Sequence, residues 1–454
     1  MTTKDGPSLA RTSQRDSAAE ITKEILHSLF KGVVGRGVGF RLWDGQTLYE
    51  EAGVETRATI VLNHPGALRR MFLPPGELSL GEAYLRGDFD IQGDIFAAIE
   101  LSGALENLAL ADLLGIVWKT LRLPKSAPSQ AYLEGRQRAH LQGTPHSRQR
   151  DRDAVTYHYD TGNAFYRLFL GQWMAYSCAY FHSAQTDLDS AQEAKLEHIC
   201  RKLRLQPGER LLDIGCGWGG LVVYAAEHYG VDALGITLSE PQVAYANDWI
   251  EQKGLSGRAR VEVRDYRDLA TYKAFDKIVS VGMFEHVGRR KQMEYFQCAF
   301  QALQEGGLFL NHGIATQTLR SLSWLERTLL QQGQFTDRYV FPDGELIPVS
   351  EALVFAEQAG FEVRDVEGLR EHYALTLHNW VQNLEAQHGE AVRLTDERTY
   401  RTWRLYMAAS ATSFERGNIS VFQALLSKSA RGKAELPLTR EDLYMMDRHN
   451  LSRS

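Results

Sequence analysis

Asp213-Ile214-Gly215-Cys216-Gly217-Trp218-Gly219-Gly220 is the stretch on which the fold turns. It lies between a short apolar run, Arg210 to Ile214, and a helical pattern, Leu221 to His228. Glycines in a strand–loop–helix setting let the backbone turn sharply and come close to a ligand. Gly215, Gly217 and Gly220 satisfy the GxGxxG spacing, which on its own fits a nicotinamide cofactor or S-adenosylmethionine. Two features favour the second. Asp213 immediately precedes the loop, and a carboxylate suits the positive amino group of a methionine moiety better than a pyrophosphate. The end of the next strand carries Thr237, where a dinucleotide fold places an acid for the ribose.

Outward from the loop, helical and strand-like patterns alternate. Ala191 to Leu205, Pro241 to Lys253 and Arg290 to Leu303 have helical spacing; Ala233 to Leu238, Ala259 to Val263, Phe275 to Val281 and Leu308 to Leu310 read as strands. Such alternation predicts a mostly parallel sheet covered on both faces, an α/β fold. Ligands then sit beyond the carboxyl ends of the strands.

The preceding region is different. It mixes short strands, Gly37 to Trp43 and Thr59 to Leu62, with a turn at Pro74-Pro75-Gly76 and apolar helices after Asp94. The reading is a disordered tail over 1–18, a smaller mixed and helical domain over 19–133, a basic linker over 134–152 and a large domain over 153–454. Arg136 to Arg152 holds five arginines. They read as a solvated connection or, alternatively, as contacts to anionic phospholipid headgroups.

With 454 residues and a formal charge of −6, the chain is unlike a general nucleic-acid binder, which carries a basic surplus. No apolar run of spanning length and no secretory leader is read, so a cytoplasmic location is expected. Cys178, Cys200, Cys216 and Cys298 form no CxxC pair, so no metal site is expected.

Six stretches in order carry a resemblance. They are His158-Tyr159-Asp160-x-Gly162-Asn163, Tyr176-Ser177-Cys178-Ala179-Tyr180-Phe181, Leu212 to Leu221, Gly235-Ile236-Thr237-Leu238-Ser239, Asp265-Tyr266-Arg267-Asp268-Leu269 and Val279 to Gly288. With them, residues 150–427 resemble the cyclopropane-fatty-acyl-phospholipid synthase family, including the mycolic acid cyclopropane synthases. The N-terminal domain resembles that family's lipid-facing domain only loosely, chiefly in Leu80-Gly81-Glu82-Ala83-Tyr84, and Thr316 to Phe335 is long for it.

The resemblance implies a class I methyltransferase fold (Rossmann-like) and transfer of a methylene unit from S-adenosylmethionine to the double bond of an unsaturated phospholipid acyl chain. It implies Tyr176, Ser177, Gly215, Gly217, Thr237, Leu238, Gln242 and Tyr266 as cofactor contacts. It implies a bound bicarbonate that takes the proton, held by Cys178, Glu285, His312, Ile314 and Tyr373. Chemically the set is consistent: histidine and tyrosine donate to an anion, and a carboxylate accepts the bicarbonate hydroxyl. Cys178 reads as a small buried hydrophobe rather than a nucleophile. Peripheral association with the inner face of the membrane follows as an expectation, because an acyl chain must leave the bilayer. A homodimer stays open. So do two rivals: a methylene- or methyl-branched product, and a small soluble acceptor.

Overall fold

The structure is a computed structural model. It describes residues 8–30, 37–49, 55–101, 110–125, 134–159, 161–317, 333–432, 434 and 436–444, with the side chains of 8–16 and 110–113 outside the description. Asp160 and residues 318–332, within the stretch noted as long, lie outside the described residues.

Contacts divide the chain into two units. One is Met1–Arg138, Ser321–Val340 and Leu384–Thr412; the other is Ala139–Arg320, Phe341–Asn383 and Ser413–Ser454. Two later segments thus return to the first unit, where the sequence reading ran one domain from 153 to the end.

The first unit holds a four-stranded sheet of order β2-β1-β3-β4, with β1 Val38–Arg41, β2 Thr47–Leu48, β3 Ala58–Leu62 and β4 Phe89–Gly93. Asp94 caps the helix Ile95–Glu100 by accepting from the N–H groups of Phe96 and Ala97, which satisfies donors the helix cannot pair itself. A helix spans Ser8–Phe30, so residues 8–18 are not the disordered tail expected. The stretch lacks glycine and proline, and its Ala18, Ile21, Ile25 and Leu29 are buried, so helix propagates back from an anchored end. The Leu80-to-Tyr84 motif is a hub of this unit. Gly81 sits where a Cβ would come within 2.4 Å of the Phe335 ring. Arg404 donates to the Tyr84 hydroxyl at 3.0 Å and Arg401 to its carbonyl at 3.1 Å.

The basic linker is not a free cationic patch. Arg138 pairs with Glu82, and Arg136 donates to the Tyr339 carbonyl at 2.6 Å. In the second unit Arg148 grips Asp268, and Arg150 makes two hydrogen bonds to Asp343. Residues from 148 onward are helical, Arg148–Tyr159. Three of the five arginines, Arg138, Arg148 and Arg150, are thus paired with carboxylates.

The second unit carries a seven-stranded sheet of order β10-β11-β9-β8-β5-β6-β7. Its strands are β5 Arg210–Ile214, β6 Asp232–Thr237, β7 Ala259–Val263, β8 Phe275–Val281, β9 Leu303–Thr316, β10 Glu362–Gly368 and β11 Ile419–Ser427. β11 runs antiparallel to both neighbours; the pairs from β9 to β7 are parallel. Successive side chains enter opposite layers: Leu211, Val279 and Leu310 join one core, Leu212, Ile278 and Phe309 the other. β9 is much longer than the expected Leu308 to Leu310, and His312 lies inside it rather than after it. Asn311 and His312 interrupt the apolar run, yet both are buried on partners: Tyr295 donates to Asn311 at 2.8 Å, and His312 meets Gln423.

Candidate active site

β5 ends at Ile214, and the chain turns at Gly215 with φ +81°. The N–H groups of Gly215 and Cys216 both donate to the Ile236 carbonyl, at 2.9 and 3.0 Å, which locks the loop onto β6. A Cβ on Gly215 would lie 2.7 Å from Met283. Gly217, with φ +55°, has nothing within 4 Å of its Cβ position. The loop is therefore tight on one side and open on the other.

The other expected cofactor residues sit as follows. Thr237, at the end of β6, donates to Gln242 Oε1 at 2.8 Å, which leaves the buried Gln242 Nε2 without a partner among the described residues. Leu238 follows, half-buried. Asp213 is buried, its Oδ1 has no partner among the described residues, and burial pushes its carboxyl up to about 7. Ser177 accepts a hydrogen bond from Lys195 Nζ at 3.0 Å. The Tyr176 ring stacks on Trp380 at 5.2 Å. Tyr266 starts a short turn after β7 and sets its ring edge-on to Tyr295 at 5.5 Å. A buried amide donor, a buried carboxylate oxygen and open space over a glycine fit a ligand with both acceptor and cationic groups, as S-adenosylmethionine has.

The second set of residues meets through three strands. Val281, at the end of β8, is level with His312 on β9, and His312 is opposite Gln423 on β11. Glu285 lies just past β8, 3% exposed. Its Oε1 accepts from the Ile314 N–H at 2.5 Å; its Oε2 is buried without a partner among the described residues. Burial raises this carboxyl to about 7, against the pull of the Ile314 N–H. His312 Nδ1 is 3.2 Å from Gln423 Nε2, and His312 Nε2 is buried without a partner among the described residues. Burial pushes the imidazole down to about 3, helped by the nearby Lys195 and Lys202, so the ring is neutral at physiological pH.

Cys178 is fully buried, and its Sγ is 3.7 Å from the Leu369 carbonyl. That same carbonyl accepts from the Tyr373 N–H at 3.1 Å, and Leu369 donates to Val421, the neighbour of Ile314 in the sheet. The Tyr373 ring packs on Phe414 at 4.7 Å. Burial drives the Cys178 thiol far above its ordinary range, which suits packing and not nucleophilic attack. The structure thus gathers Glu285, His312 and Ile314 in direct contact or register, with Cys178 and Tyr373 joined to them through Leu369. Met283, which stands against Gly215 and lies two residues before Glu285, ties this cluster to the glycine loop.

Two residues escaped the sequence reading. Lys195 is 3% exposed, and burial lowers its ammonium to about 8. The readable signal was a lysine on the stripe shared by Ala191 and Ile199 of one helix. Gln423 is fully buried in β11, a strand not anticipated. Its signal was a lone amide inside the apolar run Val421 to Leu426.

A family model described as mycolic acid cyclopropane synthetase matches residues 146–424. The chain belongs to that family. It is an S-adenosylmethionine-dependent methyltransferase with the class I fold. A second family model, a domain of unknown function, matches residues 25–110. Among relatives of this synthetase-family chain, a probable fatty acid methyltransferase of Pseudomonas putida is 41% identical over 405 residues, 89% of this chain and 95% of the relative. The cyclopropane-fatty-acyl-phospholipid synthase of Escherichia coli strain K12 is 34% identical over 372 residues, 82% of this chain and 88% of the relative. The solved structure of the mycolic acid cyclopropane synthase CmaA1 complexed with SAH and CTAB superposes with a TM-score of 0.57 at 34% identity, covering 61% of this chain and 97% of the other.

Proposed function

We propose that this enzyme adds a methylene unit to the cis double bond of an unsaturated fatty acyl chain of a phospholipid and closes a cyclopropane ring. The observation that carries this reading is that two buried atoms of this edge of the sheet, Glu285 Oε2 and His312 Nε2, have no partner among the described residues. Ring closure requires a proton to leave the transferred carbon. An amine acceptor sheds an N–H proton, which water accepts readily, whereas a carbon-bound proton calls for a base held at the site. S-adenosylmethionine, when bound at the glycine loop, supplies an electrophilic methyl group.

Glu285 is held by Ile314 with one oxygen engaged and one left to accept. His312, neutral, keeps one ring nitrogen for the site. An orphan acceptor and an orphan ring nitrogen fit a small hydrogen-bonding anion, because each would otherwise lack a partner in a dry place. Bicarbonate bound by these two groups, with Cys178, Ile314 and Tyr373 alongside, would supply a proton acceptor. The dense rings nearby, Tyr159, Tyr166, Tyr176 and Trp218, exclude water and offer an apolar wall.

Peripheral membrane contact is part of the proposal. On the helix Leu110–Leu121, Leu114, Trp118 and Leu121 are 61%, 61% and 49% exposed at i, i+4, i+7 spacing. Arg122 sits 5.2 Å over the Trp118 ring. An apolar stripe with a tryptophan and a flanking arginine suits an anionic bilayer surface. Among the described residues no helix is long and apolar enough to cross a membrane.

A second reading, a methyl- or methylene-branched acyl product, draws support from the likeness to the probable fatty acid methyltransferase of Pseudomonas putida. One experiment separates them: incubation with S-adenosylmethionine and vesicles of unsaturated phospholipid, then mass spectrometry and proton NMR of the lipid. One added CH2 with lost olefinic protons and new upfield ring protons supports the cyclopropane; terminal-methylene or branch-methyl protons support the second reading. Unchanged lipid, with cofactor binding intact, overturns the acyl substrate.

A further inference from the structure

β9 and β11 are antiparallel neighbours, and their register sets His312 and Gln423 directly opposite each other. Such pairs hold side chains on one face within reach of each other. Gln423 Nε2 lies 3.2 Å from His312 Nδ1, and both residues are at most 2% exposed. No water competes for this contact. A neutral imidazole carries a single N–H, so whatever bonds one nitrogen decides what the other presents.

We propose that Gln423 is the positioning residue of His312: its amide donates to Nδ1, fixes the Nε2–H tautomer, and makes His312 a hydrogen-bond donor to the reacting site and not its proton acceptor. The amide could be turned over, so the orientation has to be argued. In the turned form its oxygen would accept from Nδ1–H, and the two amide hydrogens would occupy the place where Gln423 Oε1 now stands buried without a partner among the described residues. An unpaired carbonyl is tolerated better than unpaired N–H groups in a protein interior. The orientation with the amide N–H on Nδ1 therefore wins.

The consequence is a division of labour. Glu285 Oε2 is an acceptor, and His312 Nε2–H is a donor. An anion or a carbonyl oxygen would be gripped by the histidine, while protons would leave toward the carboxylate side. This rests on the reading of the Glu285–His312 pair as the place of proton removal, but the tautomer is read without turnover, so the two can fail separately.

The test is long-range proton–nitrogen NMR of the protein with 15N-labelled histidine, His312 being assigned by its loss in His312→Gln. Wild type should show a pyridine-like Nδ1 and a protonated Nε2. Gln423→Glu, whose carboxylate once ionised only accepts, should move the proton to Nδ1 in spectra taken at a pH where that carboxyl is ionised. It should also lower kcat about 10–100-fold, as removal of an orienting partner of a functional histidine does, with the affinity for S-adenosylhomocysteine unchanged. Gln423→Asn, a shorter donor, should recover part of kcat. A wild-type ring protonated at Nδ1 overturns the proposal. So does a folded Gln423→Glu protein with the wild-type tautomer, or with the shifted tautomer and wild-type kcat.

Discussion

Replacing Glu285 by glutamine should make the folded chain gain stability relative to wild type as pH rises, while turnover falls. The cause is burial. The Glu285 carboxyl ionises at 4.5 in an ordinary setting but is raised to about 7 here. Between those values the native state keeps a proton that the unfolded chain has lost. Native stability from this group is thus greatest below pH 4.5 and declines as pH rises to about 7. Each pH unit in that window is worth about 1.4 kcal/mol, so the full loss is about 3 kcal/mol, and about 2.5 kcal/mol of it falls between pH 5 and 8. Glutamine keeps the oxygen that accepts from Ile314 and does not titrate. Its unpartnered NH2 costs about 1–3 kcal/mol, but equally at every pH. Urea unfolding of both proteins without methyl donor, at pH 5, 6, 7 and 8 and constant salt, reads the difference. Asp213 and Lys195 titrate nearby but are common to both proteins and cancel. A variant-minus-wild-type difference that changes by less than about 1 kcal/mol over this range would refute the reasoning.

Four further outcomes are expected. Gly215→Ala places a Cβ 2.7 Å from Met283 at φ +81°, which should cost about 2–4 kcal/mol and abolish S-adenosylhomocysteine binding in calorimetry; binding at wild-type affinity would contradict it. Gly81→Ala, with its Cβ 2.4 Å from the Phe335 ring, should lower stability by about 1–3 kcal/mol in thermal unfolding. Cys178 should stay unlabelled by iodoacetamide at pH 8 in the native protein and react only after unfolding, as peptide mass spectrometry would show; rapid native labelling would count against its burial. Trp118→Glu should reduce co-sedimentation with anionic phospholipid vesicles by at least about tenfold, since about 1.5–3 kcal/mol of apolar burial is lost and a repulsive charge gained.

The sequence determined the glycine loop, the parallel strands β5 to β8 and the residues at their carboxyl ends. These are local facts: strand period, turn glycines and a polar residue after an apolar run all act over a few positions. It also placed Glu285 and His312 near one edge, because both lie close to strand ends. Tertiary structure decided the rest. Nothing local says that β11 enters antiparallel beside β9, so the pairing of Gln423 with His312 was invisible until register set residues 111 positions apart face to face. The same holds for Lys195, whose burial depends on what packs over its helix, and for Arg138 and Arg150, which read as free charges until Glu82 and Asp343 arrived from distant segments. Acid–base character followed last. Glu285 is an ordinary carboxylate in the sequence and becomes a neutral-range acid only because the fold strips water from one oxygen and leaves it no partner.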